Sequence, residues 1–181
     1  MQHKRRKGAR KAKPIPAYFL EREYLELLKS TKGIHHKICF MLAWECGLRI
    51  SECINLKPND IDIENKILTV REGKGMKDRI VPLPFSWQHD YHIQFLPVAC
   101  SKRALEYQFT KSVEESGLRA KKPKICYHSL RHGYARYCLK MGMDATEIQP
   151  LMGHEDIQTT LHYARMHPFK PINSWREKVA Q

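Results

Sequence analysis

Between Tyr127 and Tyr163 the chain carries the side chains that phosphoryl transfer can use. It reads Tyr127-His128-Ser129-Leu130-Arg131-His132, then Leu151-Met152-Gly153-His154, then Thr159-Thr160-Leu161-His162-Tyr163. His128 and Arg131 are spaced to share one face of a helix. A guanidinium grips phosphate oxygens through paired hydrogen bonds, an imidazole moves protons or donates hydrogen bonds near neutral pH, and a phenol can attack phosphorus. Two earlier blocks add further groups. Gly47-Leu48-Arg49-Ile50-Ser51-Glu52 brings a second arginine, and Gly73-Lys74-Gly75-Met76-Lys77-Asp78-Arg79 brings a lysine.

A phosphodiester resists attack because its charge repels nucleophiles and its alkoxide leaves poorly. A metal can relieve both problems, but the sequence shows no Asp/Glu cluster of the kind that holds magnesium. The alternative is a pair of guanidiniums aimed at the non-bridging oxygens, and Arg49 and Arg131 suit that role. Taken singly, Arg49 reads as a salt bridge at a helix end and Arg131 as a surface charge; together they read as a site. Zinc is not expected: His35 with Cys39, or His128 with His132, makes one half of a site, and the second pair at finger-like spacing is missing. Cys39, Cys46 and Cys53 recur every seven residues and read as buried small hydrophobes in a reducing cytoplasm. No cofactor is called for.

The net charge of +13 and pI near 9.6 favour a polyanionic partner, with double-stranded DNA first. Lys4, Arg5, Arg6 and Lys7, with Arg10, Lys11 and Lys13 behind them, crowd the start with no acid among them. Residues 1–18 therefore read as a disordered basic tail that lies along a DNA backbone or merely solubilises the chain. No apolar run reaches the roughly 20 residues of a membrane span, and no secretory signal opens the chain, so a cytoplasmic location is expected, nucleoid-associated when DNA is bound. At 181 residues and 42% hydrophobic content, one globular domain is expected.

Positioning these groups falls to a mostly helical α+β domain. Apolar stripes predict helices over Leu20–Lys29, Ile34–Cys46 and Ile50–Leu56, with Gly47 as a C-cap between the second and third. The period then changes to two. Ile61 and Ile63, then Ile67, Leu68 and Val70, predict two strands around a turn at Glu64-Asn65, and Arg79–Leu83 a third, joined by a turn over Gly73–Asp78. Residues 84–100 give no clear reading between a short helix and an aromatic loop. Helices are expected over Lys102–Glu115, His128–Lys140, from Asp144 to Met152, and from an Asp156 cap to Tyr163, with one more over Ile172–Val179.

From about Phe19 to Tyr163 these blocks, in this order, resemble the tyrosine recombinase family of phage-type integrases, Xer-type resolvases and phase-switch inverting recombinases. The resemblance implies a catalytic domain over 19–167, helical with a small three-stranded antiparallel sheet, and a C-terminal segment over 168–181. It implies that Arg49, Lys74, His128, Arg131, His154 and Tyr163 are catalytic. Tyr163 would form a 3′-phosphotyrosyl link without metal or ATP, Lys74 (or its neighbour Lys77) would protonate the departing 5′-oxygen, and His128 and His154 would serve the phosphate. Glu52 would orient Arg49, and His132 would pack beside His128. Lys77, Arg79, Lys102, Arg103 and the tail residues Lys4, Arg5, Arg6 and Lys7 are expected to meet DNA.

The resemblance also implies a tetramer on DNA and a monomer or weak dimer when free, with Trp175 anchoring a C-terminal contact in trans or folding back in cis. Most members carry a separate DNA-binding domain ahead of the catalytic one, and nothing before Phe19 is expected to be that domain. Two other readings share the chemistry or the fold: a type IB topoisomerase-like enzyme, and a catalytically silent DNA-binding accessory protein.

Overall fold

The computed structural model describes residues 16–71 and 78–153. The expectations for the basic tail, Lys74, Lys77, His154, Tyr163 and the C-terminal segment lie outside them. Among the described residues the helices are α1 (Glu21–Ser30), α2 (Ile34–Glu45), α3 (Ile50–Asn55), α4 (His89–His92), α5 (Lys102–Glu115), α6 (Leu118–Lys121), α7 (His128–Lys140) and α8 (Ala145–Met152). The strands are β1 (Ile61–Asp62), β2 (Ile67–Val70) and β3 (Arg79–Pro82). Helices dominate, with one small sheet at their side, as the sequence pattern predicts.

The middle of the fold is α2. From Ile38 to Glu45 every residue is buried, Cys39 included, because a helix apolar on all sides is stable only when covered on all sides. It packs against α7, α3, α1 and α5. Cys46 and Cys53 are likewise buried free thiols. The one acid on α2 is satisfied: Glu45 accepts hydrogen bonds from the Tyr24 hydroxyl at 2.8 Å and from the Ser86 hydroxyl and amide at 2.7 and 3.0 Å. Tyr24 stacks on Trp44 at 4.4 Å between ring centroids, and the Tyr127 hydroxyl donates to the Cys39 carbonyl, pinning the entry of α7 to α2.

The sheet runs antiparallel in the order β1-β2-β3, with Leu68 opposite Val81 and Val70 opposite Arg79. Leu68, Val70 and Val81 turn into the core while Ile80 faces out at 58% exposure, the alternation a half-buried sheet requires. The strands are shorter than expected: Ile63 lies beyond β1 and is exposed, and β3 stops at Pro82. Residues 84–100 contain both alternatives in miniature, the single turn α4 followed by a 3-10 turn over Ile93–Phe95. The α6 turn has no apolar period long enough to signal it. Among the described residues no helix is long and apolar enough to cross a membrane.

The close approach of α7 to α2 depends on Gly133. A Cβ there would lie 2.8 Å from both the Phe19 carbonyl oxygen and Trp44 Nε1. Gly133→Ala should therefore destabilise the protein by about 1–3 kcal/mol through overpacking, although alanine is the better helix former. Urea denaturation checks this; an unchanged midpoint would mean that the helices separate without strain.

Candidate active site

Three arginines from three elements meet one carboxylate. Glu52, on α3 and 7% exposed at its side chain, accepts the Arg49 amide at 2.7 Å on Oε2 and Arg49 Nη1 at 2.7 Å on Oε1. Arg79, the first residue of β3, lays its fork on the same carboxylate, Nη1 to Oε1 at 3.0 Å and Nη2 to Oε2 at 2.7 Å. Arg131 Nη1, from α7, stands 4.0 Å from Oε2. Glu52, the acid expected to orient Arg49, is bonded to it because the i,i+3 spacing across the first turn of α3 brings the two side chains together.

The same three guanidiniums also hold the end of α8. Arg79 Nε donates to the Leu151 carbonyl at 2.9 Å, Arg131 Nη2 donates to the Met152 carbonyl, and Arg49 Nη2 donates to the Gly153 carbonyl at 2.6 Å. A helix leaves its last carbonyls unpaired and carries about half a negative charge there, so cations are the natural partners. Gly153 ends the helix in the left-handed region at φ 57°, which turns these carbonyls toward the arginines. Asp144 opens α8 with its amide donating to Glu147 at 2.6 Å. The chain continues from Gly153 directly into His154.

Gly47 completes the floor. Its carbonyl accepts from Arg131 Nη1, its φ is 68°, and a Cβ there would fall 2.4 Å from the Tyr134 ring and 2.8 Å from Met152 Sδ. Only glycine fits both the conformation and the space. The result is a buried Arg131, 2% exposed, beneath an Arg49 that keeps 31% of its side chain open.

His128 stands at the rim of the same site, its ring edge-on to His132 at 4.6 Å between centroids. Surrounding protein, and then the charges of Arg131 and Arg49, lower its pKa against the opposing pull of Glu52, so the imidazole is neutral at pH 7. A cleft of about 580 Å³ opens from Arg49 and His128 toward Lys102, Thr110 and Arg119. Lys102, on the far wall, lies within 4.0 Å of Glu106, while Arg103 is exposed on α5 outside the cleft lining. Arg79, expected to meet DNA, has a side chain 9% exposed that bonds the Glu52 carboxylate and the Leu151 carbonyl. Arg119, not singled out in the sequence, also reaches the cleft, its guanidinium fixed on the Pro123 and Ile125 carbonyls at 3.0 and 2.8 Å. No local pattern marks it, because its partners are loop carbonyls. Among the described residues no group of three or more His, Cys, Asp or Glu side chains is placed to hold a metal ion.

Residues 18–168 match the phage integrase family. The chain belongs to that family. The tyrosine recombinase XerA of Thermococcus onnurineus is 32% identical over 162 residues, 80% of this chain and 55% of the relative. The crystal structure of a XerA recombinase superposes with a TM-score of 0.67 at 26% identity, covering 93% of this chain and 66% of the other. A XerH site-specific recombinase bound to palindromic difH substrate superposes with a TM-score of 0.68 at 21% identity, covering 92% and 53%, a likeness of fold. The chain thus spans little more than half the length of the XerA relative, and its fold is that of a tyrosine recombinase catalytic domain.

Burial alone would raise the Glu52 pKa, but hydrogen bonds and charge from Arg79 and Arg49 outweigh it and bring the group from 4.5 down to about 2. A depressed carboxylate stabilises the fold above its unfolded pKa and loses that contribution as pH falls through the folded value. The shift corresponds to about 3 kcal/mol, lost between about pH 5 and pH 2. Glu52→Gln should flatten this acid limb in pH-dependent denaturation. A variant whose limb parallels that of wild type would remove Glu52 as its source.

Proposed function

We propose that this chain is the catalytic part of a site-specific DNA recombinase, which cleaves and rejoins DNA strands through Tyr163. The observation that carries the reading is the pairing of Arg49 and His128 at the mouth of one cleft with the buried Arg131 charge close behind them, within a chain of the phage integrase family. The XerH recombinase, which shares the fold and is bound to its palindromic difH substrate, supports a recombination site as the substrate in this reading.

In this reading the scissile phosphate enters the cleft with its non-bridging oxygens toward the guanidiniums, and Arg49 is the more accessible of the two. Positive charge fixed in advance where negative charge develops commonly contributes more to such catalysis than any other effect. The Tyr163 oxygen attacks phosphorus and gives up its proton to a base. The P–O bond to the 5′-oxygen breaks, and that oxygen takes a proton from Lys74. The product is a 3′-phosphotyrosyl bond and a free 5′-hydroxyl. Attack by a 5′-hydroxyl reverses the sequence, and since the phosphodiester is exchanged rather than hydrolysed, rejoining draws on no ATP. Neutral His128 serves as a hydrogen-bond or proton acceptor beside the phosphate, and His154 donates to it in the transition state. Recombination requires two duplexes, so a tetramer assembled on DNA is part of the proposal, as is backbone contact by Lys102, Arg103 and the basic tail.

The deciding test is covalent trapping on a nicked duplex, with wild type and Tyr163→Phe run in parallel on a denaturing gel without divalent metal. An adduct with wild type alone is expected. An equal adduct with both would move the nucleophile to another residue, and none from either, with DNA still bound, would favour the accessory-protein reading. Arg131→Ala should lower adduct formation by at least about a hundredfold, the usual scale for losing one preorganised charge donor. DNA affinity should fall steeply with salt, since each phosphate neutralised releases counterions. A dissociation constant unchanged between low and physiological salt would overturn the phosphate-clamp account.

A further inference from the structure

Arg79 has a geometry that no phosphate contact requires. All three of its nitrogens are engaged by the protein: two on the Glu52 carboxylate and Nε on the Leu151 carbonyl at 2.9 Å. Its side chain is 9% exposed, against 31% for Arg49, which lines the cleft. Glu52 Oε1 is shared between Arg79 and Arg49, so the position of one guanidinium is set against the other through a single oxygen. Arg79 also belongs to β3, whereas Glu52 lies on α3 and Leu151 in the last turn of α8; its three bonds tie three elements together.

We propose that Arg79 is a positioning residue for strand cleavage: by fixing the Glu52 carboxylate and the last turn of α8, it sets the Arg49 guanidinium at the mouth of the cleft without touching substrate. The inference rests on the strand-transfer reading above.

A carboxylate held only by Arg49 would follow that side chain wherever it moved. With the Arg79 fork on its other edge, Glu52 has a fixed orientation, and Arg49, bonded to Glu52 through both side chain and amide, inherits it. Planarity of the guanidinium matters here because two parallel bonds define a direction, which a lysine ammonium does not. Among the described residues, the groups facing Glu52 include Arg49 from the start of α3, Arg79 from β3, Arg131 from α7 and the His128 ring from the same helix. Arg79 is the one among them that reaches Glu52 from the sheet. Misplacing a reacting geometry by about 1 Å can cost about a hundredfold in rate, so a residue outside the cleft can still control turnover.

The experiment compares wild type with Arg79→Met and Arg79→Lys on the nicked duplex at saturating protein, with DNA affinity measured across salt. Arg79→Met should slow adduct formation about a hundredfold while leaving the dissociation constant and its salt slope unchanged, and Arg79→Lys should recover part of the rate. If instead the salt slope falls by about one unit and saturating protein restores the rate, Arg79 is a phosphate contact and the proposal is overturned. In a Glu52→Gln background, Arg79→Met should add little further loss; full additivity would show that it does not act through Glu52.

A second measurement needs neither DNA nor activity. The Glu52 carboxyl titration, followed by carbon NMR in folded Arg79→Lys, should move up from its wild-type value, since burial then meets weaker opposition. An unmoved titration would overturn the proposal. Absence of any wild-type adduct would overturn the strand-transfer reading, while this titration would still decide whether Arg79 governs Glu52.

Discussion

One largely buried carboxylate makes this site possible. Arg49, Arg79 and Arg131 approach the same point from α3, β3 and α7, and three positive charges brought together in a partly dry interior repel strongly. Glu52 lies among them and offers both oxygens. The C-terminal end of α8 supplies the second counterweight, presenting three successive carbonyls, Leu151, Met152 and Gly153, one to each guanidinium. One full negative charge and the partial charge of a helix end do not cancel three arginines. The surplus stays positive, and part of it is directed toward the cleft through Arg49.

That surplus also acts on the imidazole at the edge of the cleft: burial, and then the charges of Arg131 and Arg49, lower the His128 pKa below the ordinary imidazole value. A protonated imidazole would crowd a fourth cation into the same space. In the proposed reaction neighbouring groups have separate tasks: the arginines carry fixed charge, the histidine carries the exchangeable proton, and the acid holds the arginines still.

The rest of the fold serves to bring distant segments to this point. The buried α2 acts as the post on which α3 and α7 are mounted, and the turn at Gly47 both ends that region and offers its carbonyl to Arg131. The small sheet delivers Arg79 from the opposite side. Leu68, Val70 and Val81 anchor it to the core, so the β3 register that buries Val81 also sets where Arg79 begins.

Much of this was legible in the chain itself. Periodicity placed the helix that Arg49 precedes, the helix that carries His128 and Arg131, and the strand opened by Arg79, because burying one face imposes a repeat that survives in the sequence. The order of the arginine, histidine and tyrosine blocks also pointed to the family that the chain belongs to. Glu52 as the partner of Arg49 followed from local spacing, which helix geometry fixes by itself. The role of Arg79 did not follow. A basic residue beside a glycine-rich turn carries the same local pattern whether it meets a phosphate or a buried acid, and the difference lies in which element packs over it. Nor could the sequence show that the Leu151, Met152 and Gly153 carbonyls would receive three guanidiniums, because backbone carbonyls are the same at every residue. The sequence determined which side chains were present and which faces were apolar, for those are local properties. Only the tertiary structure decided which charges share a partner and which one is left facing the cleft, because charge pairing depends on distances between segments that the chain brings together only by folding.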